Sequence, residues 1–357
     1  MTGDLLFLAG HRAYEQIKTN GFSADDVAMV VGASGAAKWL VLKELESVIF
    51  GLWFSKRTKP LHLFGTSIGS WKSAAAAQND PVQAFNRLAH AYIHQFYRTT
   101  ATPERIDLES QRIMDTYLGL GRVDEILAHP YCRLNFSAVR STGPLSSDHP
   151  VAQMASLVSA WAKNRVSRKL VQRQYLPTLF HDPRDLPPFA LNGEFPGGMA
   201  PLDRDNLRTA LLASGSIPYM MKGVKDVPGA PSGIYRDGGM YHYHPAFDFM
   251  NGTDGIVLYP HFYSRATLGW FDKNRPSRVA DGRLLADVLM LSPSPSFVAK
   301  LPFGRIPDRR DFLRLFRRDN ERIDFWETAV SMGKSLGRSF LGAVDSGRIK
   351  TLVKRIP

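Results

Sequence analysis

A single cysteine, Cys132, excludes an internal disulfide, so packing alone must hold this fold, and the usage fits a reducing compartment such as the cytoplasm. No apolar run approaches the roughly 18–20 residues that a spanning helix needs. The opening stretch, Met1-Thr-Gly-Asp-Leu-Leu-Phe-Leu-Ala-Gly10, has an acid where a secretory leader carries bases, and its apolar run is too short for one. No calcium-loop pattern occurs. His242 and His244, two apart on one side of a strand, supply only two of the ligands that a metal site requires. Internal repeats and low-complexity tracts are absent as well. Acidic charge is in the minority, with 33 Asp and Glu against 45 Lys and Arg, a net of +12.

The chain is instead rich in apolar residues. A hydrophobic content of 44% with 22% charged residues describes a globular protein with a sizeable core. The positive charge is uneven, because residues 300–357 hold 14 Lys and Arg against 7 Asp and Glu. Such a segment suits an anionic partner, phospholipid head groups or nucleic acid, and equally a solvated helical face. Within it Phe312, Phe316, Ile323, Trp326 and Val330 recur at helical spacing among Arg314, Arg317, Arg318 and Arg322. That pattern fits either a face laid on an anionic membrane or a face docked on the protein's own core.

Along the chain, residues 4–18 read as a helix stopped by Gly21, and Val27 to Val31 as a strand buried on both faces. Gly32-Ala-Ser34-Gly35-Ala36-Ala37-Lys38 then opens a helix from about Trp39 to Phe54, and Leu61 to Phe64 forms the next strand. The alternation α-β-α-β-α implies a parallel sheet with right-handed crossovers. Helical patterns fill 80–130, a strand covers Arg133 to Ser141, and the Pro- and Gly-flanked stretch 143–200 reads as a cover segment. Helix Arg204 to Ala213, a strand at Ile234 and Tyr235, and the buried strand Gly255 to Tyr259 follow.

Three pieces carry chemistry. Gly65-Thr-Ser67-Ile-Gly69 lies between a buried strand and an alanine-rich helix, the sharp turn that exposes a serine nucleophile at a helix N-terminus. Gly333-Lys-Ser335-Leu-Gly337 has the same spacing, but it follows a helical stretch in the basic tail, so Ser335 reads as structural. Backbone N–H groups of Ser34, Gly35 and Ala36 open a helix and have no helical acceptor, which suits them to an oxyanion; the same residues also fit a plain tight turn. Asp237, followed by Gly238 and Gly239 at a strand end, can present a carboxylate at the sheet edge as a base, or form an ordinary Asp-Gly turn.

Together these pieces resemble the patatin-like phospholipase family over roughly residues 25–250. That family has a Gly-rich oxyanion motif opening a helix, a G-x-S-x-G turn, and an Asp-Gly-Gly motif that supplies the aspartate of a Ser–Asp dyad. Here they correspond to Gly32 to Lys38, to Gly65 to Gly69, and to Asp237-Gly238-Gly239. Ala213-Ser214-Gly-Ser216-Ile-Pro218 is similar to the segment that precedes Asp-Gly-Gly in the family. Two features depart from the pattern: the glycine run is thinned before Lys38, and Tyr243 and His244 precede Pro245 where the family often has an asparagine.

The resemblance implies an α/β, three-layer fold with a mainly parallel central sheet. Residues 1–270 would form the hydrolase domain, with a helical insertion at about 80–130 and the cover at about 143–200. Residues 271–357 would be a basic, mostly helical extension packed on or next to it. It implies a lipid acyl hydrolase with Ser67 as nucleophile, Asp237 as base and Lys38 at the turn or at a substrate phosphate. It needs no cofactor or metal, takes phospholipid or another acyl-ester lipid as partner, and gives no role to nucleic acid. Two rivals remain. A Ser-His-Asp hydrolase would use Asp237 or Asp248 with His261. An NADP-dependent oxidoreductase would use the turn after Val31 with Lys56 and Arg57 on the 2′-phosphate, although G-x-G-x-x-G is not met.

Overall fold

Unbroken apolar runs form the middle of the sheet because they are covered on both faces. The structure, a computed structural model, describes residues 3–97, 101–119, 121–275 and 277–356. Its strands are β1 (Leu5–Ala9), β2 (Val27–Gly32), β3 (Leu61–Thr66), β4 (Cys132–Ser141), β5 (Tyr175–His181), β6 (Met199–Pro201), β7 (Val224–Lys225), β8 (Ile234–Asp237), β9 (Ile256–Pro260), β10 (Val288–Pro293) and β11 (Lys354–Arg355). They make one mixed sheet in the order β11-β1-β10-β9-β2-β3-β4-β5-β6, with β8 on β4 and β7 on β8. The central run β10-β9-β2-β3-β4 is parallel, and every residue of β3, β9 and β10 is buried. Helices on both faces complete three layers, as expected.

From β2 the chain winds one way, through β3 to β4, and from β9 the other way, to β10. The reversal lies between β2 and β9. In open α/β sheets the crevice beyond the carboxyl ends of the strands at such a point is where ligands bind. The turn after Gly32, Ser67 after β3 and His261 after β9 all lie at those ends.

Several expectations change. Residues 4–18 are not one helix: Leu5–Ala9 pairs antiparallel with β10, and a helix spans only His11–Asn20. Gly10 separates them, and Leu5, Phe7 and Ala9 are buried in the core. The cover segment contains the helix Pro150–Val166, but also β5, paired antiparallel along β4. Residues 271–357 are not an appendage, because they supply β10, inside the sheet, and β11 on its edge.

The apolar stripe of the C-terminal region turns inward. Trp326 is fully buried and donates its Nε1–H to Asp311 at 3.0 Å. Arg322 lies 4.5 Å over the Phe312 ring and donates to the carbonyls of Ile93 and Gln95 at 2.8 and 2.7 Å. The docking alternative therefore accounts for Phe312, Ile323, Trp326 and Val330, while Phe316 stays exposed. No helix among the described residues is long and apolar enough to cross a membrane.

Candidate active site

Ser67 and Asp237, 170 residues apart, meet because β3 and β8 share one edge of β4. β3 pairs there in parallel up to Thr66 opposite Ser137, and β8 pairs antiparallel from Asp237 opposite Ala138. The two strands therefore run toward each other along that edge, and their carboxyl ends abut. Ser67 turns the chain from β3 into the helix Ile68–Ala76 with φ 55° and ψ −128°, a conformation that non-glycine residues rarely take. Its Oγ donates to Asp237 Oδ2 at 2.6 Å, and Asp237 Oδ1 accepts the Gly239 N–H at 2.7 Å. Burial pushes the Asp237 carboxyl up to about 6, against the Ser67 and Gly239 hydrogen bonds, which lower it.

Close backbone contacts fix this geometry. A Cβ on Gly69 would overlap the Gly32 carbonyl, so the nucleophile helix rests directly on the end of β2. A Cβ on Gly238 would overlap the Ser137 carbonyl, which holds the Asp237 turn against β4. Ser214 ties the pieces together: its Oγ accepts the Ser67 N–H at 3.1 Å and donates to the Ser137 carbonyl at 2.8 Å. Trp71 Nε1 donates to the Leu211 carbonyl at 2.8 Å and fastens the nucleophile helix to the helix Leu207–Gly215.

Of the three expected oxyanion donors, Ser34 is withdrawn. Its N–H is committed to the Tyr243 carbonyl at 2.9 Å, and its Oγ lies 2.8 Å from Thr66 Oγ1. Among the described residues the N–H groups of Gly35, Ala36 and Ile68 have no acceptor in the protein. Ser34 places the turn beside the nucleophile, since its Oγ also contacts the space next to Gly239. Ile68, the residue after the nucleophile, was not singled out from the sequence, although its position at the first turn of a helix marks it as a donor.

Lys38 is already paired, with its ammonium on Asp308, so it does not offer a free charge to a substrate phosphate. His261 is buried with Nδ1 between the Tyr263 N–H and carbonyl at 3.0 and 2.6 Å, and burial pushes its ring down to about 3. His242 faces Glu194 at 3.2 Å, and His244 Nδ1 accepts the Thr267 N–H at 2.9 Å. No histidine hydrogen-bonds Ser67 among the described residues. The Arg57 guanidinium is spent on the carbonyls of Ala24, Val27, Lys59 and Pro60, which removes it as a 2′-phosphate ligand. Ser335 lies in the helix Lys334–Asp345 with its Oγ unpartnered, and Gly333 packs against the Val41 carbonyl, a helix-packing role.

Ser67 is 8% exposed and Asp237 5%, so substrate must reach them from one side. A groove of about 440 Å³, within the size range of small-molecule sites, is not lined by Ser67 or Asp237 themselves and begins at Ile217, one residue beyond Ser216. Leu157 and Trp161 form one wall, Ile217 and Met220 the other, and Trp270 and Arg309 complete the lining. The second wall follows directly from Ser216, whose carbonyl accepts the Asp237 N–H at 2.9 Å. No protein-family profile matches the chain, and no curated protein matches it.

Proposed function

We propose that this chain is a carboxylic ester hydrolase acting on acyl lipids through an acyl-serine at Ser67, in the manner of the patatin-like family that it resembles. The observation that carries the reading is the 2.6 Å hydrogen bond from Ser67 Oγ to Asp237 on a strained strand-to-helix turn with no histidine on the serine. A nucleophile, a base in direct contact and unpaired N–H donors beside them are what acyl transfer requires.

Ser67 Oγ attacks the ester carbonyl carbon while its proton passes to Asp237 Oδ2. The carbonyl oxygen becomes the oxyanion, held by the N–H groups of Gly35 and Ala36 and assisted by Ile68 and the helix N-terminus. Collapse expels the alcohol, which leaves with the proton from Asp237. Water then gives a proton to Asp237 and attacks the acyl-serine, and the second collapse frees the acid as Ser67 Oγ takes that proton back, restoring the hydroxyl and the carboxylate. The apolar groove favours a long acyl chain. Val151, Val158 and Val166 stand exposed on the helix that walls it, which supports contact with a lipid surface there rather than through the C-terminal stripe.

Because Asp237 must be ionised to accept the proton, kcat/KM on p-nitrophenyl butyrate should rise through a midpoint near pH 6. Below it the rate should fall about tenfold per pH unit. A midpoint near 4, the range of an unburied aspartate, contradicts the role given to the buried carboxyl. A folded Ser67→Ala protein with wild-type rates contradicts the whole reading.

A further inference from the structure

Beside the groove stand two cations that make no salt bridge among the described residues. Lys273 has its Nζ 4.0 Å from the Tyr243 ring centre and 5.1 Å from that of Trp270, a lining residue of the groove. It makes no ion pair or hydrogen bond among the described residues. The guanidinium of Arg309, also in the lining, has one polar contact among the described residues, a 3.4 Å approach of Nη1 to the weak acceptor Met220 Sδ. Both lie within electrostatic reach of Asp237 and of each other. Tyr243, under the Lys273 ammonium, accepts the Ser34 N–H, so Lys273 stands over the same turn that offers Gly35 and Ala36 to the oxyanion.

The carboxylates within reach are engaged elsewhere, Asp237 by the Ser67 hydroxyl and the Gly239 N–H. Asp308 is held by Lys38, and Arg310, next in the chain, adds a further positive charge. Burial, then Arg309 and Lys38, lowers the Lys273 ammonium to about 7, against Asp237 and Asp308, which raise it. The residue nevertheless keeps an exposed surface, which favours its charged form. Like charges held together beside an apolar groove repel each other, and a bound anion relieves that repulsion. An acyl chain in the groove brings its polar end to this place.

Resting on the ester-hydrolase reading, we infer that Lys273 and Arg309 form a subsite for a phosphate on the substrate, which makes that substrate a monoacyl lipid phosphate. A phosphate bearing up to two charges matches two unpaired cations, and the arginine adds a planar donor pair.

Two arms test this, one of them independent of catalysis. Calorimetric binding of dodecyl phosphate to Ser67→Ala protein should weaken roughly tenfold or more in Lys273→Met and again in Arg309→Met, the scale of losing a charge-assisted hydrogen bond. Inorganic phosphate should bind far more weakly than dodecyl phosphate, because it leaves the groove empty. In active protein, kcat/KM should favour monoacylglycerol phosphate over monoacylglycerol of the same chain length, and the double variant should lose that preference. p-Nitrophenyl butyrate carries no phosphate and so reports the groove and the base alone; the loss on monoacylglycerol phosphate should exceed the loss on that ester by roughly tenfold or more. Equal binding of dodecyl phosphate to all variants, equal binding of inorganic phosphate, or parallel loss on every substrate overturns the subsite. If no ester is hydrolysed but the binding arm behaves as stated, the hydrolase reading fails and the phosphate subsite stands.

Discussion

Asp237→Asn should lower ester hydrolysis by roughly 10³-fold or more, close to the loss from Ser67→Ala, and yet make the protein more stable at pH 8. Asparagine keeps the shape of the turn and can still accept the Gly239 N–H, but it cannot take the serine's proton. Combining the two substitutions should cost little beyond either one, because residues acting as a unit are not additive. His261→Ala should stay within about tenfold of wild type, since its ring is bound to Tyr263 and not to Ser67. The stability gain follows from the direction of the shift. A carboxyl raised from 3.8 to about 6 in the fold binds its proton more tightly there than when unfolded. Its contribution to stability is present at low pH and is lost as pH rises through about 6. At about 1.4 kcal/mol per unit this is on the order of 3 kcal/mol above that range. Urea unfolding of both proteins at pH 8 and pH 4 checks it: the advantage of the variant should be large at pH 8 and nearly gone at pH 4. An advantage that grows as pH falls contradicts the assignment.

Gly69→Ala should destabilise the protein by about 3 kcal/mol or more, the upper range of core overpacking, and abolish activity in whatever remains folded. The added methyl would meet the carbonyl of Gly32, and backbone on both sides leaves no flexible side chain to yield. Gly282→Ala is the control, because a Cβ there meets only the Ile356 carbonyl at 3.9 Å, an ordinary contact. Urea midpoints of the two variants should differ widely. A Gly69→Ala protein as stable as Gly282→Ala contradicts the close packing of the nucleophile turn on β2.

The meeting of Ser67 with Asp237 was more legible in the sequence than the edges of the fold. Val27 to Val31 and Leu61 to Phe64 were legible as buried strands because both faces are covered and their runs are unbroken. Leu5–Ala9 was not, because its partner β10 lies about 280 residues away and the helix after Gly10 extends the same apolar pattern. Tyr175–His181 was hidden by Pro177, a residue that normally argues against an inner strand. The loss of Ser34 as a donor depends on the Tyr243 carbonyl, 209 positions away, and no local pattern reports that contact. Ser214 was visible only as part of a resembling segment, and its hydroxyl proves to join Ser67 to β4. Lys273 and Arg309 fall beyond the last recognised motif, where a basic composition alone gave no reason to choose two cations among many.

The most direct measurement is the site of covalent capture. A fluorophosphonate probe reacts with a serine whose hydroxyl has a base and whose phosphonyl oxygen finds donor N–H groups. Ser67 has Asp237 at 2.6 Å, whereas Ser335 sits within a helix with no partner on its hydroxyl. Peptide mapping after labelling should place the adduct on Ser67 alone and find none on folded Ser67→Ala protein. An adduct on Ser335, or labelling that survives Ser67→Ala, contradicts the proposed nucleophile.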